Sequence, residues 1–427
     1  MTTYKIVGGE PISGTVTPMP NKNSIVALIP AAVLADEPVV FSNVPMSSSV
    51  RVMLRIFRKL GGKVSYLKDG KIKLDASTIN YTVVDKELAK KERASIMFLG
   101  PLVSRFGEAE FGQSGGCKLG SRPIDTLLQG LTNLGAKIDP ENIFHITANG
   151  LKGNDKIWQL ETSVTGTENL VIAAVKAEGR TVIYNAACEP HVQDLCNFFN
   201  SIGADIRGVG TNRLEINGVE KLRGGEWSVI PDFVDIGGLI VAAAITGGEL
   251  TIKNAIPDHM QHILMFYDKI SLKYNIDGDS IHIPAKQKLE CKPNAQGDMD
   301  KITAQPWPTG FPADLIPQAL VLAASAGGNI RIQNMMYETQ LNFVDTLNKM
   351  RAKIALTSPN QAITFGPSQF KGTVVSAPDI LQCAHAVALA AFAAKGETKI
   401  LNADIINRRY PEFVSTFKKL GAKIAAE

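Results

Sequence analysis

The glycine-rich stretch at 111–123, FGQSGGCKLGSRP, is the segment best equipped for chemistry. Cys117 lies there between Gly116 and Lys118, with Arg122 nearby, and positive neighbours favour thiolate over thiol. Gly112, Gly115, Gly116 and Gly120 let the backbone approach a ligand closely. The loop reads as a reactive acid/base or nucleophilic thiol, or more plainly as a surface cysteine. Basic residues recur at the starts of other apolar segments. Lys22 and Asn23 open the segment 21–35, Arg93 precedes 94–102, and Arg408 and Arg409 stand before the last helix. A cation at a helix N-terminus opposes the macrodipole, and a bound anion resolves the conflict. Each alone is an ordinary solvated charge; together they point to a shared anion site. Asp314 and Asp379 each begin an apolar helix. An acid there caps the helix, or acts as a general base if it faces the anion.

The elements that carry these residues repeat. A helix end, a small-residue turn and a strand recur at 57–64 (FRKLGGKV), 131–138 (LTNLGAKI), 199–206 (FNSIGADI), 347–354 (LNKMRAKI) and 417–424 (FKKLGAKI). The gap between the third and fourth is twice the others, and 267–276 (YDKISLKYNI) fills its middle as a degenerate copy. That gives six units of about 70 residues. A second phrase runs in step: an apolar helix, a glycine turn, an alternating strand and an Asn. It occurs at 170–185, 239–254, 320–334 and 386–402, and at 25–43 with Asp-Glu replacing the glycine. The helices are apolar nearly all round, so protein must enclose them. The strands alternate, so one face is exposed. Helices inside and sheets outside follow. The second unit alone replaces its Asn phrase with the Cys117 loop, and such departures are where function is usually placed.

The 427 residues imply two or three domains. With 45% hydrophobic and 20% charged residues the chain is expected to fold. Its net charge of +4 forms no stripe, which argues against nucleic acid as the partner. The apolar runs 24–35, 236–248 and 384–394 fall short of the ~18–20 residues that span a bilayer. Residues 1–10 lack the apolar core of a secretory signal. Five cysteines without a CxxC pair read as reduced thiols in a cytoplasmic protein. Cys188, Cys196, Cys291 and Cys383 lack cationic neighbours and read as packing residues. Six scattered histidines show no metal spacing, so no metal is expected.

The chain resembles the enolpyruvyl transferases over essentially its full length. The resemblance rests on NKNS at 21–24, RASIMFLGPLVSRFG at 93–107, GGCKLGSRPID at 115–125, SVTGTEN at 163–169, EP at 189–190, FPAD at 311–314 and NRRY at 407–410. The cysteine loop is similar to that of the branch acting on a UDP-sugar; the branch acting on shikimate 3-phosphate lacks it. The resemblance implies an α/β fold of two inside-out barrel domains, each of three βαβαββ repeats, with the active site between them. It implies a discontinuous first domain, 1–20 plus 231–427, and a second, 21–230, carrying the loop 111–123.

The implied reaction transfers the enolpyruvyl group of phosphoenolpyruvate to the 3-hydroxyl of UDP-N-acetylglucosamine, releasing phosphate, as the first committed step of peptidoglycan synthesis. By position, Lys22, Arg122 and Arg408 would hold the phosphoenolpyruvate anions and Arg93 would add to the positive field. Asn23 would bind the sugar, and Ser163 and Val164 would lie near the diphosphate. Asp379 matches an acid of the substrate site. Asp314 would take the hydroxyl proton, and Cys117 would act as the acid and be captured by the epoxide fosfomycin. Cys117, Asp314 and Lys22 are thus the expected catalytic residues. No cofactor is implied. The partners are phosphoenolpyruvate and a UDP-sugar, with no nucleic acid or membrane, in a cytoplasmic monomer or weak homo-oligomer. Phe233, Gln340 and Leu381 stand where the family usually carries arginine, and Thr165 where it carries glycine, with Gly166 one place later. Three lost arginines leave open a different nucleotide or nucleotide-sugar acceptor; Arg409, beside Arg408, is a candidate to compensate.

Overall fold

Residues 2–111 and 124–427 are described by the computed structural model of the chain. They fall into two compact units. The split unit takes 2–19 and 231–427; the inserted unit takes 20–111 and 124–230. Each has its own hydrophobic core.

Six apolar helices lie in these cores: α1 (Lys22–Ala31), α2 (Leu99–Phe106), α3 (Val164–Ala174), α4 (Phe233–Thr246), α5 (Ile316–Ser325) and α6 (Leu381–Ala393). The sequence of α4, FVDIGGLIVAAAIT, has no polar stripe, and every residue from Ile236 to Ala244 is buried. Each buried Leu, Ile or Val contributes about 1.5–3 kcal/mol relative to exposure, so enclosure follows from composition. In the split unit α4, α5 and α6 pack against one another. Small residues permit the approach: a Cβ at Gly238 would sit 2.6 Å from the His385 ring on α6. In the inserted unit α2 packs on α3, and the 3-10 turn Arg93–Phe98 packs on both α1 and α3.

Among the described residues, six four-stranded sheets, three per unit, share one pairing pattern: a parallel pair followed by two antiparallel partners. Along Gly328–Asn334, Ile330, Ile332 and Asn334 are buried and alternate with residues that are not, so one face lies on the core. In the split unit Tyr4–Gly8 lies antiparallel between Gly396–Leu401 and Lys423–Ala426, joining both ends of the chain in one sheet. In the inserted unit Gly225–Ser228 returns to pair parallel with Val39–Ser42.

The repeats share their turns. The residue opening each helix-to-strand turn is left-handed in all six copies: Gly61, Gly135, Gly203, Ser271, Arg351 and Gly421. The degenerate copy at 267–276 therefore turns like the others, with φ 60° at Ser271, and Arg351 adopts φ 66°. A side chain there costs roughly 1–2 kcal/mol that glycine avoids. The recurring Asn has a reason of the same kind. Asn43, Asn185, Asn254 and Asn402 adopt φ between 51° and 57°, a conformation Asn tolerates better than most residues. Asn334 instead uses its side chain, Oδ1 accepting from the amides of Met336 and Tyr337 at 2.8 and 3.0 Å.

Candidate active site

In each unit, several of the residues singled out in the sequence lie at or just before the beginnings of its inner helices. In the inserted unit Lys22 is the first residue of α1, which starts one residue later than expected and ends at Ala31. Asn21 caps it, Oδ1 accepting from the Ser24 amide at 3.0 Å. No acid occupies its first turn, and Lys22 forms no ion pair among the described residues. Lys22 and Asn23 are half-buried. Arg93 begins the 3-10 turn that runs into α2, whereas the sequence suggested a single helix from 94. Ser163 caps α3, its Oγ accepting from the Gly166 amide at 3.2 Å, and Val164 is the first helical residue. Cys117 and Arg122 lie outside the described residues.

Sequence reasoning missed the acid that holds the start of α1. Asp194, 2% exposed, accepts from Ser24 Oγ and from Trp227 Nε1, the latter at 3.0 Å. Burial pushes its carboxyl up to about 6, against those hydrogen bonds, with no cation among its partners in the described residues. Nothing near Asp194 in the sequence signals this: Ser24 is 170 residues away.

In the split unit Asp232 caps α4, its Oδ1 accepting from the Val234 amide at 2.9 Å. Asp314 lies in the 3-10 turn Ala313–Leu315 leading into α5. It does not cap that helix. Its Oδ2 accepts from Arg409 Nη1 at 3.2 Å and its Oδ1 from Gln382 Nε2 at 2.8 Å. Gln382 is the second residue of α6, so the starts of three helices meet at Asp314, Asp232 and Gln382. The other expected cap also fails. Ile380 occupies the N-cap of α6 without a side-chain bond, and Asp379 is exposed one residue before it.

The neighbouring arginines take opposite places. Arg408 is half-buried and forms no ion pair among the described residues. Arg409 is 3% exposed and grips Asp232 through Nε at 2.9 Å and Nη2 at 2.8 Å. Its charge is therefore spent on two carboxylates and does not compensate for missing cations. Of the three positions lacking arginine, Phe233 is buried against Trp307, with ring centroids 5.8 Å apart. Gln340 is buried and accepts from Asn334 Nδ2. Leu381 is half-buried at the start of α6. The four cysteines expected to pack are buried, and burial raises Cys188 and Cys196 to about 12 and Cys291 to about 11, which keeps them thiols.

The family model for EPSP synthase (3-phosphoshikimate 1-carboxyvinyltransferase) matches residues 6–417. The UDP-N-acetylglucosamine 1-carboxyvinyltransferase of Borrelia garinii subsp. bavariensis is 41% identical over 426 residues, covering 99% of both chains. That of Treponema denticola is 40% identical over 424 residues, again covering 99% of both. Among solved structures, the enolpyruvyl transferase NikO from Streptomyces tendae has a TM-score of 0.87 at 24% identity, over 100% of this chain and 98% of that one. EPSP synthase from Acinetobacter baumannii has a TM-score of 0.76 at 17% identity over the whole of both chains. These two likenesses concern the fold, which is the mixed α/β, two-unit architecture of inner helices and outer sheets described above.

Proposed function

The chain belongs to the enolpyruvyl transferase family, and we propose that it moves the enolpyruvyl group of phosphoenolpyruvate onto the 3-hydroxyl of UDP-N-acetylglucosamine, releasing phosphate. In a bacterial cell this is the first committed step of peptidoglycan synthesis. The observation that carries this reading is end-to-end kinship, at up to 41% identity, with proteins named for that transfer.

The bonds balance as an addition and an elimination. The sugar 3-oxygen attacks C2 of phosphoenolpyruvate while C3 takes a proton. The tetrahedral carbon then loses phosphate and a C3 proton, which restores the vinyl group. Asp314 accepts the hydroxyl proton and Cys117 supplies the one that reaches C3. Lys22, Arg122 and Arg408 hold the phosphate and carboxylate, with Arg93 adding to the field. Such fixed charge is most effective where closure excludes water. Asn23 binds the sugar, Asp379 contributes to the substrate site, and Ser163 with Val164 presents the N-terminus of α3 to the diphosphate, where helix amides and dipole favour an anion. Support comes from Lys22, a cation at a helix start with no acid in the first turn, and from Asp314, whose carboxylate is held on both oxygens yet keeps 22% of its side-chain surface.

Enolpyruvyl transferases act on small molecules, and among the described residues no helix is long and apolar enough to cross a membrane. Both proposed substrates are charged metabolites of the cell interior, which supports a cytoplasmic location. The test is phosphate release from phosphoenolpyruvate, with and without UDP-N-acetylglucosamine. Release that depends on the sugar nucleotide is expected. No release from folded protein whose Cys117 still takes up fosfomycin would reject this acceptor and retain the phosphoenolpyruvate half of the site.

A further inference from the structure

We propose that Arg409 and Gln382 are positioning residues that together fix the Asp314 carboxylate in the orientation from which it takes the sugar hydroxyl proton. The proposal rests on reading Asp314 as the base. Among the described residues its two oxygens have one donor each, Arg409 Nη1 on Oδ2 and Gln382 Nε2 on Oδ1. The carboxylate cannot turn about its Cβ–Cγ bond without breaking one of these bonds. Arg409 is itself held. Asp232, fully buried, occupies its Nε and Nη2, and Asp232 is fixed in turn by the Val234 amide and by its own amide on the Met19 carbonyl at 2.8 Å.

Exposure separates the roles. Arg409 has 3% of its side-chain surface exposed, Asp232 none and Asp314 22%, so a substrate can reach the base but not the groups behind it. The charges fit as well. One guanidinium serves two carboxylates. Arginine suits this task because its planar fork serves both acids at fixed angles, which a lysine ammonium cannot do. The fork spans 177 residues to Asp232 and 95 to Asp314.

An ion pair that merely held three helix starts together would give the same geometry, so the test must read catalysis. Phosphate release is measured for the full chain and for Gln382→Met, Arg409→Lys, Asp314→Asn and Gln382→Met/Asp314→Asn, with thermal melts to confirm folding. Gln382→Met is the main variant because it leaves no charge unpaired. It is expected to lower kcat about 10–100-fold, the cost of a misplaced catalytic group, with KM for both substrates unchanged. Arg409→Lys, where it folds, should shift kcat in the same direction. Asp314→Asn should lower kcat at least about 100-fold, and adding Gln382→Met to it should lower kcat no further. Unchanged kcat in Gln382→Met overturns the proposal, and so does an equal loss with and without Asp314. Wild-type kcat in Asp314→Asn removes the base assignment and this proposal with it, and leaves the transfer reaction standing.

Discussion

In the inserted unit, Lys22 opens α1 with no acid in the first turn and no ion pair among the described residues. In the split unit, Arg409 lies at the starts of α4 and α6 and at the turn before α5, and is closed in by two carboxylates. The buried acids differ in the reverse sense. Asp194 of the inserted unit has Ser24 and Trp227 as side-chain partners, both neutral, and is pushed up to about 6. Asp232 of the split unit has a guanidinium. Charge that a unit neutralises internally can orient a group but cannot attract a ligand. Charge left open at a helix start can. The first arrangement suits a base that must be aimed, the second an anion that must be caught.

The sharpest way to break this contrast is to remove the internal cation. Arg409→Met leaves Asp232 buried without its partner and should destabilise the split unit by about 3–5 kcal/mol in urea unfolding. A change below about 1 kcal/mol would mean that the cluster is wet and the ion pair weak. The open cation should behave differently. Lys22→Gln is expected to leave the melting temperature near that of the parent and to lower kcat/KM for phosphoenolpyruvate about 10–100-fold, the range for a lost charged hydrogen bond. Equal loss of stability and activity would erase the distinction between the units.

The third test uses Asp194. Its folded value of about 6 lies above the ordinary carboxylate value of 3.8. Between those pH values the folded state binds more protons than the unfolded one, so stability falls as pH rises from about 4 to about 6. The fall is about 1.4 kcal/mol per unit of that gap. Asp194→Asn keeps an acceptor for Trp227 and should lower the slope of this part of the stability–pH curve, as read by denaturant unfolding at several pH values, while Asp235, which burial raises to about 7, and Glu168 keep a slope of the same sign. An unreduced slope would assign it to those groups alone. The smallest effect concerns the repeats rather than the charges. Arg351→Gly should stabilise by roughly 1 kcal/mol, because φ is 66° where Gly61, Gly135, Gly203 and Gly421 stand in other copies. No gain would show that the arginine side chain contributes as much as its backbone costs.

Much of the fold was legible because the signals are local. The left-handed turns at Gly61 and Gly421 and the Asn that ends the strands at 185, 254 and 402 are backbone requirements of single residues. The Ala-rich helices announce burial through composition alone. The site was legible as a set of helix starts but not as an arrangement. Asp314 has the same sequence signature whether it caps α5 or accepts from Arg409. The capping reading failed because a donor 95 residues away took the oxygen that a cap would use. Asp194 gave no signal because its burial and its partners Ser24 and Trp227 are set by packing.

The sequence by itself determined the six repeats, the enclosed helices and the positions of the turns. Periodicity, apolarity and backbone conformation are properties of a few consecutive residues, so one chain suffices to read them. Only the tertiary structure decided that Arg409 rather than Arg408 is buried, that Asp314 is held by Gln382 and Arg409, and that Asp194 is enclosed without a cation. Those outcomes depend on partners 33 to 177 residues away, and a charge buried beside them takes its character from the groups that exclude water around it.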